Sequence, residues 1–132
     1  MILIVNNKVL LVKAGPKSRQ LNGQLSFPGG DTNLNETDEQ AAQRELTEET
    51  GLTAQNLAVF PGNYVEARIE RKTGWVDYSF RVFIATEFIG ELRATEETEP
   101  FWADIEEARK MKLYGKNNQI LEAAIKFLEG KK

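Results

Sequence analysis

The segment between residues 37 and 51 carries a full set of helix start and stop signals. Thr37, followed three residues later by Gln40, has the form of a capping box, in which each side chain accepts a hydrogen bond from the other residue's backbone N–H. Two acidic residues follow Thr37, where the positive end of a helix dipole favours them. Gly51 stands where a glycine commonly ends a helix. We therefore expect a helix over residues 38–50, and this helix constrains how the rest of the chain folds.

Three glutamates crowd the second half of this helix. Glu45, Glu48 and Glu49 fall within roughly 100° of its surface. The i,i+3 and i,i+4 pairs repel by roughly 0.2–0.5 kcal/mol each, and the helix dipole also disfavours negative charge there. Arg44 can offset Glu48 but cannot neutralise three acids. The cluster is either a solvated acidic face or a set of oxygen ligands for a hard cation such as Mg²⁺ or Mn²⁺.

Short apolar runs and alternating patterns predict strands around this helix. Asn6 and Asn7 separate two such runs, which suits the tight turn of a hairpin. The predicted strands are residues 2–5, 9–12, 24–27, 57–60, 63–71 and 77–87. Further helices are predicted over residues 105–111 and 118–129, and residues 14–23 and 31–36 are predicted to be loops. The pattern is that of one mixed α+β domain spanning residues 1–132.

The chain contains no cysteine and no histidine, which excludes disulfides, thiolate zinc sites and Ser-His-Asp triads. Any chemistry must use carboxylates, Lys, Arg, Tyr, Ser or Thr, or a bound metal. A net charge of −3 without a long basic run argues against binding to a nucleic-acid duplex. No apolar run approaches the ~20 residues of a membrane span, and the first residues lack the features of a signal peptide. We therefore expect a cytoplasmic protein that binds neither duplex nor membrane.

The residues around the acidic cluster resemble the Nudix box. Gly30 is followed after five residues by Glu36, and after seven more by RELTEETGL at residues 44–52. This matches G-x5-E-x7-R-E-U-x-E-E-x-G-U, with U aliphatic, at every fixed position, which is far more specific than a lone glycine motif. FPGG at residues 27–30 is similar to the usual lead-in of this family. The resemblance implies an α/β/α sandwich with a mixed central β-sheet. It also implies metal-dependent hydrolysis of a nucleoside diphosphate linked to another group, by attack of water on phosphorus.

The resemblance also implies roles for individual residues. The ligands it implies for Mg²⁺ or Mn²⁺ are Glu45, Glu48, Glu49, the backbone carbonyl of Gly29 and, through water, Glu36. Arg44 is implied as the residue that orients these carboxylates by salt bridging. The general base in this family is a box glutamate or an acid from a later loop. That loop offers Glu96, Glu97 and Glu99, of which Glu99 is favoured because it lies shortly before Trp102; the alternative is a charged surface loop.

The box does not specify the leaving group, and three substrate classes compete. A nucleoside triphosphate, such as dGTP or 8-oxo-dGTP, is favoured by the short domain and by Asn117, at a position where similar enzymes read a purine edge. The alternative is that Asn117 and Asn118 cap the last helix. Coenzyme A is the second class, because the spacing of Arg19 to Gly23 and FPGG matches half of a coenzyme A pyrophosphatase motif. Arg19 is a candidate substrate contact. ADP-ribose or another sugar nucleotide is the third class.

A non-catalytic nucleotide-binding module is the alternative to an enzyme. Such modules typically lose box glutamates, whereas this chain keeps all of them. The expected partner is in either case a small nucleotide. A homodimer is compatible with the chain, because homodimers are frequent among small Nudix proteins.

Overall fold

The chain folds into eight strands and three helices within residues 1–18, 21–29 and 32–130, the ranges that the computed structural model describes. Inside the strands, the side chains of residues 59–65, 67, 69, 71, 76 and 78–80 are also not among those described. The strands are β1 (Ile2–Val5), β2 (Lys8–Ala14), β3 (Leu25–Ser26), β4 (Leu52–Gln55), β5 (Ala58–Arg71), β6 (Gly74–Ala85), β7 (Glu87–Gly90) and β8 (Thr98–Asp104). The helices are α1 (Asp38–Thr50), α2 (Ile105–Lys110) and α3 (Asn117–Glu129). None of these described helices combines the length and the apolar character that crossing a membrane requires.

Strand β2 is the centre of a six-stranded mixed sheet. It pairs with β8 over its whole length, from Lys8 opposite Asp104 to Ala14 opposite Thr98. On its other edge, β2 pairs first with β1 and then with β3. Strand β1 runs parallel to β6, and β6 pairs antiparallel with β5. Strands β4 and β7 form a separate two-stranded sheet.

The turn between β1 and β2 is the tight hairpin turn that the asparagine pair predicts. Asn6 and Asn7 have φ angles of 52° and 63°, and Val5 lies opposite Lys8. Positive φ at both central residues is the geometry of a type I′ turn, which asparagine tolerates better than most residues. The predicted hairpin is therefore confirmed.

Helices cover both faces of the sheet. Leu46 of α1 packs in a buried cluster with Leu3 and Leu10, and Leu121 of α3 packs in a second cluster that includes Leu11. Leu10 and Leu11 point to opposite faces because side chains alternate along a strand. The α/β/α sandwich with a mixed central sheet, and the α+β class, are confirmed.

Several strand boundaries were predicted wrongly. Strands β4, β7 and β8 were not predicted, and the acidic residues that precede Trp102 were assigned to a loop that in fact runs into β8. The two strands predicted over residues 57–71 are one strand, β5, with a register shift. Strand β8 lacks a clear alternating pattern because it carries Pro100 and acidic residues. It forms by pairing with β2, a long-range contact that a local pattern does not reveal.

Helix α1 begins and ends as predicted. Thr37 N–H donates to Gln40 Oε1 at 2.9 Å, and Gln40 N–H donates to Thr37 Oγ1 at 3.1 Å. Gly51 ends the helix with φ 82°. A Cβ on Gly51 would collide with the carbonyl oxygen of Glu91 and would lie 2.8 Å from Cγ of Arg93. Glycine is therefore required at this position both by the backbone conformation and by the close approach of residues 91–93.

Replacing Gly51 with alanine tests this double requirement. Gly23 is a matched control, because it has φ 86° but a Cβ added to it would meet no atom within 4 Å. We expect Gly23→Ala to lower the free energy of unfolding by about 1–2 kcal/mol through the left-handed backbone alone. Gly51→Ala should lose at least about 1 kcal/mol more, since it also overpacks the contact. Urea denaturation of both variants measures the difference, and equal losses would contradict the close-approach argument.

Candidate functional site

The buried face of α1 determines where its acidic residues point. Leu46 and Thr50 are buried one turn apart, and the Thr50 hydroxyl donates to the Leu46 carbonyl oxygen at 2.6 Å. The helical period then turns Glu45, Glu48 and Glu49 away from this face. Glu48 is exposed, whereas Glu45 and Glu49 are half-buried at the flank of the helix.

The Arg44 guanidinium links the loop before α1 to two of these acids. Its Nε and Nη2 donate to Glu36 Oε2 and Oε1 at 2.8 and 3.0 Å. Its Nη1 donates to Glu45 Oε1 at 2.8 Å and to Glu48 Oε2 at 3.2 Å. The bidentate pairing of Arg44 with Glu36 holds the guanidinium in a fixed orientation. Hydrogen bonds from Arg44 and from the N–H of Asn33 lower the pKa of Glu36, and those to Glu36 and Glu45 raise the pKa of Arg44.

Glu45 and Glu49 place two carboxyl groups side by side. Burial, followed by the negative charge of Glu45, raises the pKa of Glu49 to about 8, and a hydrogen bond between the two carboxyl groups acts in the same direction. The N–H of Gly29 donates to Glu49 Oε2 at 3.4 Å; this bond and the nearby amino group of Met1 partly offset the rise in pKa. Even with Arg44 bonded to Glu45, two carboxyl groups this close oppose each other's ionisation, and a proton on Glu49 or a nearby cation relieves this repulsion.

The carboxyl oxygens of this pair are ligands that suit a divalent cation such as Mg²⁺ or Mn²⁺. In the part of the chain that the structure describes, no three acidic residues lie together as a complete metal site. Glu48 turns towards Arg44, and both oxygens of Glu36 accept hydrogen bonds from Arg44. The structure therefore brings together two of the carboxylates predicted as ligands, with Gly29 beside them. The side chain of Glu48 is 58% exposed and bonds to Arg44 at the surface.

The candidate base residues lie in and after a turn formed by residues 95–98, here named the acidic turn. Glu96 pairs with Lys17 at 3.2 Å on the surface. Thr98 is buried and its hydroxyl donates to the backbone carbonyl oxygen of Glu49 at 3.0 Å, so Thr98 points towards α1. Glu99 is the next residue of β8 and therefore points to the opposite face of the sheet. The structure thus places Glu99 on the face of the sheet away from the acids of α1.

Asn117 is a predicted substrate contact. Among the hydrogen bonds that the structure describes, its side chain bonds only to other residues of the protein. Its Oδ1 accepts from Phe27 N–H at 3.0 Å, and its Nδ2 donates to the Tyr114 carbonyl oxygen at 2.6 Å. Asn118 binds the backbone of Leu113 and of the α2 C-cap residue. The alternative that these asparagines cap α3 is wrong, because the N-cap is Lys116 and no side chain caps it. Arg19 and Gly30 lie outside the described residues.

Two residues that anchor α1 to neighbouring strands were not predicted. The Gln43 side chain donates to the Ala54 carbonyl oxygen at 2.8 Å and accepts from the Ala54 N–H at 3.1 Å, which ties α1 to β4. Thr98 ties α1 to β8. The Thr95-x-x-Thr98 spacing, typical of a turn closed by a hydroxyl group, is the signal in the sequence that could have indicated the second anchor.

A family model of the NUDIX domain matches residues 1–124 of the chain. The chain belongs to the Nudix family. The solved MutT protein from Bacillus halodurans is similar in fold, with a TM-score of 0.73 over 92% of this chain and 76% of that chain at 23% identity. The family assignment agrees with the box that the sequence shows and with the sandwich that the structure shows.

Two curated relatives share more of the sequence. The 8-oxo-dGTP diphosphatase of Haemophilus influenzae is 36% identical over 92 residues, which is 66% of this chain and 63% of that protein. The oxidized purine nucleoside triphosphate hydrolase of Danio rerio is 36% identical over 108 residues, which is 80% of this chain and 65% of that protein. The chain thus spans slightly less than two thirds of the length of each relative.

The raised pKa of Glu49 predicts a pH-dependent metal affinity. Without metal, Glu49 contributes stability below the ordinary pKa of glutamate, and this contribution is lost as the pH rises towards 8. Because a cation must displace the proton, Mn²⁺ affinity should rise by up to about tenfold per pH unit from about pH 6 to pH 8 and then level off. Calorimetric titration with Mn²⁺ measures this slope. In Glu49→Gln the slope should largely vanish; a steep slope retained in that variant would assign the proton to another group.

Proposed function

We propose that the chain, residues 1–132, acts as a single Nudix hydrolase domain that uses Mg²⁺ or Mn²⁺. The reaction is attack of water on phosphorus in a nucleoside diphosphate linked to another group. The observation that carries this proposal is the Glu45–Glu49 carboxyl pair beside the N–H of Gly29, with Arg44 on its other side. A half-buried carboxyl pair whose mutual repulsion a cation would relieve supports the proposal of a site for a metal-bound diphosphate.

Each residue of the site has a distinct proposed task. A bound divalent cation would offset charge on the diphosphate oxygens and lower the pKa of a water molecule. Glu45 and Glu49 would hold that cation together with the backbone carbonyl of Gly29, and Glu48 would join them by rotating away from Arg44. Arg44 would keep Glu45 aimed at the cation, because its bidentate bond to Glu36 prevents the guanidinium from following Glu48.

For the general base we propose Glu96 or Glu97 in place of Glu99. Glu96 and Glu97 lie in the acidic turn, which Thr98 ties to the backbone of Glu49. Glu99 faces the other side of the sheet. The alternation of β8 thus favours the two earlier glutamates, although the resemblance alone favoured Glu99.

For the substrate we propose a purine nucleoside triphosphate, with 8-oxo-dGTP as the leading candidate. The two curated relatives carry names of enzymes that act on such nucleotides. Arg19 is proposed as a phosphate contact. Asn117 is proposed as a base contact, which requires its amide to exchange a bond to Phe27 or Tyr114 for one to the base.

A nucleotide panel tests this proposal. The purified protein is incubated with Mg²⁺ and dGTP, 8-oxo-dGTP, coenzyme A or ADP-ribose, and the products are separated by ion-exchange chromatography. We expect the highest kcat/KM for 8-oxo-dGTP, with release of pyrophosphate. Preferred turnover of coenzyme A or ADP-ribose would overturn the proposed substrate but would support the proposed reaction class. Tight binding of a nucleotide without turnover of any member would instead identify a binding module.

Substitution of Glu48 tests the metal assignment. Glu48→Gln removes a charge that is exposed and outside the core, so the fold should remain intact. We expect kcat to fall by at least about a hundredfold, because a group that stabilises transition-state charge through the cation is lost. The control is Glu39→Gln, which changes an exposed glutamate in the first turn of the same helix and should retain activity. A Glu48→Gln enzyme with near wild-type kcat would show that Glu48 does not hold the metal.

A further inference from the structure

Thr98 joins two parts of the chain that are 49 residues apart in sequence. It is the first residue of β8 and is only 8% exposed. Its hydroxyl donates to the backbone carbonyl oxygen of Glu49 at 3.0 Å. A buried threonine hydroxyl that bonds to another element, and not to its own backbone, marks a specific connection between β8 and the last turn of α1.

The direction of the neighbouring hydrogen bonds follows from this contact. A threonine hydroxyl has one proton, and that of Thr98 is directed to Glu49. In the 3.0 Å contact between the Thr95 and Thr98 hydroxyls, Thr95 must therefore be the donor. The Thr95 oxygen in turn accepts from the N–H groups of Glu97 at 3.2 Å and Thr98 at 3.0 Å. A one-directional series of hydrogen bonds thus runs from the backbone of the acidic turn to Glu49, and such bonds strengthen one another.

The carbonyl of Glu49 needs this donor more than most helix carbonyls do. The last carbonyl groups of a helix have no partner within it, and α1 has no basic residue in its last turn to interact with them. Its glutamates make the end of the dipole still less favourable. Residues 93–98 supply the missing donors, since Arg93 N–H donates to the Thr50 carbonyl oxygen at 2.9 Å and Thr98 serves Glu49.

The acidic turn is itself fixed on the central strand. Gly15 N–H donates to the Glu97 carbonyl oxygen at 2.8 Å, and Ala14 lies opposite Thr98 in the β2–β8 pair. A Cβ on Gly15 would lie 3.3 Å from the carbonyl oxygens of both Glu96 and Glu97, so the two segments are in close contact. Thr98 therefore connects Glu49 to a turn that β2 already holds in place.

We propose that Thr98 is a positioning residue of the metal site. It sets the distance between the Glu49 carboxyl group and the acidic turn by holding the Glu49 backbone to that turn. This inference rests on the proposed function, in which Glu49 holds the cation. Loss of the hydroxyl group should leave the substrate contacts in place and weaken the cation site.

Three variants separate the hydroxyl group from the shape of the side chain. Thr98→Val keeps the β-branched shape, which suits the first residue of a strand, and removes the hydroxyl. Thr98→Ser keeps the hydroxyl and removes the methyl group. Thr53→Val is the matched control, because it also removes a threonine hydroxyl next to α1. That hydroxyl lies 3.4 Å from the one of Thr47 and makes no bond to Glu49 among those described.

Mn²⁺ binding, measured by electron paramagnetic resonance without nucleotide, is the first readout. We expect the Mn²⁺ dissociation constant to rise about tenfold in Thr98→Val, the effect of losing a group that supports a metal ligand. Thr98→Ser and Thr53→Val should stay within about twofold of wild type. Wild-type affinity in Thr98→Val overturns the proposal, as does an equal loss in Thr98→Ser, which would show that packing and not the hydroxyl is responsible. This readout stands even if no nucleotide in the panel is hydrolysed.

Steady-state kinetics give the second readout. For the nucleotide that the wild-type enzyme hydrolyses, Thr98→Val should lower kcat about tenfold and leave KM within about twofold. An increase in KM at unchanged kcat would place Thr98 in substrate binding and overturn the positioning role. If Thr98→Val does not fold, Thr98→Ala replaces it, because it differs from Thr98→Ser only by the hydroxyl group that donates to Glu49. Wild-type Mn²⁺ affinity in folded Thr98→Ala then overturns the proposal.

Discussion

The accumulation of negative charge at the C-terminal end of α1 is the constraint on which the surrounding contacts depend. Three glutamates occupy the end of a helix that favours positive charge. The chain offsets this with Arg44 on one side and with the donors of residues 93–98 on the other. Gly51 allows these residues to pass close to the end of the helix. A local arrangement that opposes helix stability, and is supported from several distant segments, is typical of a functional site.

The three glutamates are not equivalent once the chain is folded. Glu45 and Glu49 adjoin each other at the half-buried flank, and the pKa of Glu49 rises to about 8 because burial and Glu45 disfavour its charge. Glu48 stays exposed and interacts with Arg44. The guanidinium supplies counter-charge to Glu45 and Glu48, while its bond to Glu36 keeps it in a fixed position. In the proposed metal site, the carboxyl pair is already assembled and Glu48 would rotate away from Arg44 to join it.

Pairing between β2 and β8 brings the acidic turn next to the last turn of α1. It places the acidic turn at the end of β2 and directs Thr98 towards α1. The same alternation directs Glu99 to the opposite face. On the other side of the fold, Asn117 also bonds to a distant segment. Its side chain accepts a hydrogen bond from Phe27 at the start of the FPGG loop and does not cap its own helix. One strand pairing thus places Glu99 on the face of the sheet away from α1.

The sequence alone determined the features that depend on neighbouring residues or on a fixed spacing. These are the capping box and glycine stop of α1, the Asn6-Asn7 turn and the Nudix box, and each involves interactions within a few residues or a motif that can be read directly. Only the tertiary structure decided that Glu49 pairs with Glu45 while Glu48 turns to Arg44, and that Thr98 supports Glu49. The physical reason is that these contacts depend on burial and on the pairing of β8 with β2, between residues far apart in the chain. A sequence pattern records the local preferences of residues but not which distant segment supplies their partners.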